Sequence, residues 1–165
     1  MERTKSAHRG FTLIELMVTM SVAVILAAVA VPSFVDFIRN LRSATVANDL
    51  VTSLNTARSE AIKRNATVRL CPGANGGCTL DWNQGWSLRD DANAQLQVWM
   101  APPPGAAIQQ ANGNATIEFN GTGRLTSAGP VRINARYTGC TGDAQRVIRI
   151  NVMGRVSVTR TNCPP

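Results

Sequence analysis

The sequence predicts an α+β fold. One long N-terminal helix, transmembrane at first and amphipathic afterwards, packs on a C-terminal antiparallel β-sheet or sandwich. Three observations carry this prediction. Residues 11–31 form an apolar run whose only ionisable side chain is Glu15. Across residues 37–61, apolar side chains recur at steps of three and four, the spacing that lines one face of a helix. Beyond residue 65, Gly and Pro punctuate short runs rich in β-branched residues, several of which alternate apolar and polar with period two.

Taken in order, the elements are these. About 20 apolar residues at 1.5 Å rise span a bilayer's hydrocarbon, so residues 11–31 suffice for one crossing. They follow a leader, MERTKSAHRG, that carries Arg3, Lys5 and Arg9. Pro32 removes one helical hydrogen bond and predicts a bend near Ser33. The stripe Phe37, Leu41, Ala44, Ala47, Val51, Leu54, Ala57 and Ala61 marks the helix face expected to cover a core, and Asn65 is the expected stop. Strands are expected at ATVRLC (66–71), GWSLRD (85–90), LQVWM (96–100) and ATIEFN (115–120), with APPPGA (101–106) as a loop. Further on, Val131, Ile133, Ala135 and Tyr137 alternate with Arg132, Asn134 and Arg136. Ile148, Ile150 and Val152 alternate with Arg149 and Asn151, and Val156 and Val158 with Arg155, Ser157 and Thr159. Such alternation gives a sheet with one buried and one wet face, placing Arg132 and Arg136 together outside. The expected organisation is a leader at 1–10, a membrane helix at 11–31, an amphipathic helix at 32–65 and a β-domain at 66–165.

The chain has 17 Lys+Arg against 10 Asp+Glu, a net charge of +7. The excess is lopsided: from Phe119 onward there are seven arginines and a single acid, Asp143. A basic patch of this kind favours anionic partners, and its plainer use is a solvated strand face. Four cysteines behind an export-type N-terminus point to two disulfides and an oxidising compartment. Cys71 and Cys78 flank the turn-rich PGANGG, which can bring them within bonding range and leaves Cys140 and Cys163 to pair; three connectivities remain open. No Cys-x-x-Cys pair supports zinc. The single histidine, His8, lies in the leader, and no phosphate-binding loop or nucleophile elbow is present. Asp81, Asp90 and Asp91 read as solvated caps and Trp82 and Trp86 as packing residues. The sequence therefore points to no enzyme, no catalytic residues, no metal site and no cofactor.

Glu15 decides what the N-terminus is. An ordinary secretory signal would end at Ala28-Val29-Ala30, and a plain anchor would explain the length of the run, but neither explains a carboxylate inside it. An ionisable residue in a membrane segment is costly and normally has a partner. Gly10-Phe11-Thr12-Leu13-Ile14-Glu15-Leu16 resembles the class III signal of type IV prepilins and pseudopilins. The resemblance implies cleavage after Gly10, methylation of Phe11 as the new N-terminus, and pairing of Glu15 with the N-terminal amine of a neighbouring subunit. Pro32 also falls where that family carries a helix-bending proline.

CPGANGGCTLDWNQGW (71–86), the acidic turn after it and the late Gly154-Arg155 are similar to the FimT/GspH branch of minor pilins and pseudopilins. That likeness implies a type IV pilin fold and a single pass through the bacterial inner membrane. The β-domain would be periplasmic, and would lie on a filament at the cell surface after assembly. Other pilin subunits and a prepilin peptidase would be the protein partners. FimT-like members are associated with DNA uptake in natural transformation through a tail often written Gly-Arg-x-Arg. Here Gly154 and Arg155 match, Ser157 replaces the second Arg, and Arg160 lies nearby. The expected contacts to non-sequence-specific double-stranded DNA are therefore Arg155 and Arg160, helped by Arg149 and Arg146, with Arg132 and Arg136 in the same region. The alternative within the family is a GspH-type pseudopilin of a type II secretion system, with a structural role and no DNA.

Overall fold

The computed structural model describes residues 11–74, 77–111 and 116–164. The chain divides into an N-terminal unit that ends at Asp36 and a second unit that begins at Phe37. Helix α1 (Leu13–Arg64, 52 residues) contains Pro32. It starts at Thr12, whose Oγ1 accepts from the Glu15 backbone N–H at 3.3 Å; this is one arm of a capping box. Its first part is long and apolar enough to cross a membrane, and none of that apolar window is buried. The far end stops at Asn65, whose φ of 48° is left-handed. The Asn65 N–H bonds the Ile62 carbonyl and the Ala66 N–H bonds the Ala61 carbonyl, each at 3.2 Å. That pair of bonds is a Schellman closure, with Asn taking the place usually held by Gly.

Among the described residues eight strands follow: β1 (Val68–Pro72), β2 (Trp86–Asp90), β3 (Gln95–Trp99), β4 (Ala106–Gln110), β5 (Ile117–Phe119), β6 (Val131–Tyr137), β7 (Gln145–Ile150) and β8 (Val156–Thr161). They form two four-stranded sheets, ordered β3-β2-β1-β5 and β4-β6-β7-β8. Every pairing is antiparallel. Both sheets bury apolar side chains in one core with α1: Leu50 and Leu54 from the helix, Leu70, Leu88 and Phe119 from the first sheet, and Ile133, Ile148 and Ile150 from the second. Trp82 and Trp86 also lie in this core, as expected.

Two expectations are corrected. The buried stripe of α1 is Ser43, Val46, Ala47, Leu50, Ser53, Leu54, Ala57 and Ala61, whereas Phe37 and Leu41 are exposed. Serines can occupy a buried helix face because their hydroxyls bond backbone within the helix. Ser53 Oγ donates to the Leu50 carbonyl at 2.8 Å, and Ser43 Oγ donates to the Arg39 carbonyl at 3.0 Å while accepting the Tyr137 N–H at 3.0 Å. The second correction is β4, which begins at Ala106 inside the expected loop and contains little that favours a strand. Pairing with β6 sets Ile108 opposite Ala135. The Asn83 amide then acts as a substitute neighbour, accepting from the Ile108 N–H at 2.9 Å.

Candidate nucleic-acid interface

The four strands of the second sheet carry Arg132, Arg136, Arg146, Arg149 and Arg160 and no Asp or Glu. Register sorts these arginines by face. Arg132 stands directly opposite Arg149, and both are exposed. Arg136 shares their parity, because Ile133 and Ala135 between them are fully buried. Arg132 and Arg149 meet Arg155, Asn151 and Ser157 along an open groove of about 410 Å³. Arg136 lines a second groove of about 320 Å³ on the same face with Gln109, Asn134 and Thr161. Neither groove has an acidic residue in its wall. The outer face of this sheet is therefore a row of guanidinium groups set among amides and hydroxyls.

Arg155 owes its position to the turn between β7 and β8. Asn151 closes that turn: its carbonyl accepts from the Gly154 N–H at 2.8 Å and its Oδ1 from the Arg155 N–H at 2.8 Å. Gly154 is buried with φ +76°, and a β-carbon there would lie 2.0 Å from the Gly123 carbonyl oxygen. No L side chain fits such a position. Gly123 is held in turn by Arg58, whose Nε donates to its carbonyl at 3.1 Å. The Gly-Arg pair read from the sequence is thus a backbone device that seats Arg155 at the rim of the groove.

The expected arginine set does not stay together. Arg146 is buried, with 5 % of its surface exposed, because it shares parity with the core residues Ile148 and Ile150. Its Nη2 donates to Asn40 Oδ1 at 2.6 Å and its Nη1 to the Asp143 carbonyl at 3.0 Å. Burial, then the charge of Arg160, pull its pKa below the ordinary arginine value. Directed inward and committed to those acceptors, it is not presented to a phosphate on the outer face. Arg160 is exposed but stands opposite Arg146, so it lies on the other side of the sheet from Arg149. The geometry joins Arg155 and Arg149 to Arg132 and Arg136, and leaves out Arg146 and Arg160.

Disulfides join Cys71 to Cys78 and Cys140 to Cys163. The second ties the chain just beyond β8 to the connection between β6 and β7. Tyr137, at the end of β6, is engaged: Arg42 Nη1 donates to its hydroxyl at 2.8 Å, and that hydroxyl donates to the Pro104 carbonyl. At the N-terminus, Phe11 and Glu15 are exposed, and Gly10 lies outside the described residues with the rest of the leader. Among the described residues, no group of three or more His, Cys, Asp or Glu side chains is placed to hold a metal ion.

Comparison with known proteins agrees with this architecture. Residues 46–154 match the family model of the type II transport protein GspH, and residues 5–31 match the prokaryotic N-terminal methylation motif. Fimbrial protein Q of Moraxella bovis is 37 % identical over 70 residues, covering 42 % of this chain and 44 % of that protein. A fimbrial protein of Moraxella nonliquefaciens is 43 % identical over 56 residues, covering 32 % and 36 %. The chain thus spans less than half the length of these two relatives. The crystal structure of the type IV minor pilin FimU of Pseudomonas aeruginosa superposes with a TM-score of 0.63 at 20 % identity. It covers 74 % of this chain and 92 % of that one, a likeness of fold. The chain belongs to the GspH family and is a type IV pilin-like protein.

Proposed function

We propose that this chain is a minor pilin that enters a type IV pilus and binds the backbone of extracellular duplex DNA on the outer face of its second sheet, for DNA uptake in natural transformation. The observation that carries this reading is the alignment of Arg132, Arg136, Arg149 and Arg155 on one face of strands that hold no acidic residue. Arginine stays charged at any physiological pH and forks onto two phosphate oxygens. The long helix is given over to the proposed membrane anchor and, further along, to the core, so among the described residues no recognition helix is left to read a groove. Tyr137 is held by Arg42 and Pro104, which makes base stacking on a single strand a poor model. Phosphate contact without sequence preference is what the surface supports.

The N-terminal part of the proposal is cleavage between Gly10 and Phe11 by a prepilin peptidase, methylation of Phe11, and anchoring in the inner membrane with the β-domain in the periplasm. N-terminal sequencing of the native protein tests it, and a start at Val31 would reveal an ordinary signal peptide. The DNA part is tested with full-length protein in detergent by mobility shift across a salt series. Neutralising three or four phosphates gives a slope of log K against log salt of about −3 to −4. The Arg149→Ala/Arg155→Ala double variant should flatten that slope and weaken binding to all sequences alike. A second reading has one observation of its own: the family model matching residues 46–154 is that of a type II transport protein. A pseudopilin of a secretion filament has no need of DNA, so absence of binding at low salt would favour it.

A further inference from the structure

We infer that the tip of the β7–β8 hairpin, Val152 and Met153, is an apolar wedge that enters the minor groove of duplex DNA and kinks it. This rests on the reading that the arginine face binds the duplex, and adds to it how the bound DNA is shaped. Three observations converge. The first is exposure: Val152 is 39 % and Met153 53 % exposed, at a turn where polar residues are the norm. The second is rigidity. The Val152 carbonyl accepts from the Leu125 N–H at 3.2 Å, Gly154 is packed on Gly123, and Asn151 bonds across the turn. A braced tip can hold a side chain in place against a base step, which a mobile loop cannot.

The third observation is charge. Arg155 follows the tip and lines one groove with Arg149 and Arg132, and exposed Arg124 follows Gly123, on which the turn packs. Apolar side chains inserted at base steps, flanked by basic residues on the adjoining phosphates, are how minor-groove proteins bend DNA. Only the two apolar side chains need enter the minor groove, since a wedge acts by unstacking one base step. An anionic bilayer would also attract such a tip, but two side chains offer little anchorage there. Moreover, the arginines do not encircle the tip alone. They continue along the strand to Arg136, four residues or about 13 Å beyond Arg132, a track suited to a linear polyanion.

The test uses full-length protein in detergent and a short duplex carrying a donor and an acceptor dye at its ends. Wild-type protein should raise energy transfer as expected for a kink of about 20–90°. Val152→Ser/Met153→Ser should abolish that rise while keeping the salt slope, and Met153→Leu should retain it. If the duplex is bound by wild type with no change in energy transfer, or if the Ser variant bends it equally, the wedge is overturned while DNA binding stands. If wild type does not bind the duplex at low salt, both readings fall together. Loss of binding to phosphatidylglycerol vesicles by the Ser variant, with DNA bending intact, would assign the tip to a membrane and overturn the wedge.

Discussion

Arg146 and Arg149 lie three residues apart on β7 and face opposite ways: Arg146 is buried against Asn40, and Arg149 is exposed beside Arg132. The two should separate stability from binding. Arg146→Ala strands Asn40 Oδ1 and should cost about 1.5–3 kcal/mol in denaturant unfolding, the usual worth of a hydrogen bond to a charged group. It should leave the salt slope of DNA binding unchanged. Arg149→Ala should stay within about 0.5 kcal/mol of wild-type stability and reduce the salt slope by about 1.

Gly154→Ala places a methyl group against the Gly123 carbonyl at a left-handed φ. Thermal unfolding should report a loss of about 1–3 kcal/mol, the scale of a forced backbone conformation. Gly139 also has a left-handed φ, but the atoms nearest a β-carbon there are those of the Arg39 guanidinium, at 3.4–3.5 Å. Gly139→Ala should therefore cost less, and an equal loss at both sites would refute the steric account.

Removing the bridge between Cys140 and Cys163, a separation of 23 residues, relaxes the unfolded chain and releases the end of the edge strand β8. The Cys140→Ser/Cys163→Ser variant should lose about 2–4 kcal/mol. Hydrogen exchange should rise first in β8, with β6 protected for longer. Uniform loss of protection across the second sheet would contradict this order.

Asp81 gives the fold an acid-sensitive point. Its Oδ1 accepts from the Asn83 backbone N–H at 2.9 Å and from Asn83 Nδ2 at 2.8 Å. The backbone bond first, then the side-chain bonds, hold its pKa below the ordinary 3.8. A carboxylate depressed in the folded state adds stability that is complete above the unfolded value and is lost as pH falls through the folded one. The melting temperature should thus drop below about pH 4. Asp81→Asn, which keeps an acceptor without titrating, should flatten that part of the curve. Since Asn83 braces β4, exchange there should rise first.

Glu15→Ala tests the proposed contact with a neighbouring N-terminal amine. The backbone bond to Thr12 Oγ1 survives the substitution, so helix initiation is not what changes. Membrane insertion should persist and incorporation into filaments should fall. Assembly at wild-type levels would show that the carboxylate has no such partner.

What the sequence determined by itself is local. The apolar run, its lone carboxylate, the Asn65 stop and the alternation in β6 and β7 all follow from side-chain chemistry at fixed spacing, which is visible along one chain. The inward direction of Arg146 is also legible there, since it shares parity with Ile148 and Ile150. Tertiary structure decided the rest. β4 exists because β6 and the Asn83 amide satisfy its backbone, not because Ala and Gln favour strands. Ser43 and Ser53 enter the core because backbone groups satisfy their hydroxyls. The pairing of Arg132 with Arg149, and the separation of Arg149 from Arg160, depend on the register of three consecutive strands. Register is set by which side chains are buried and by the turns that join the strands, and a one-residue slip would exchange the two faces.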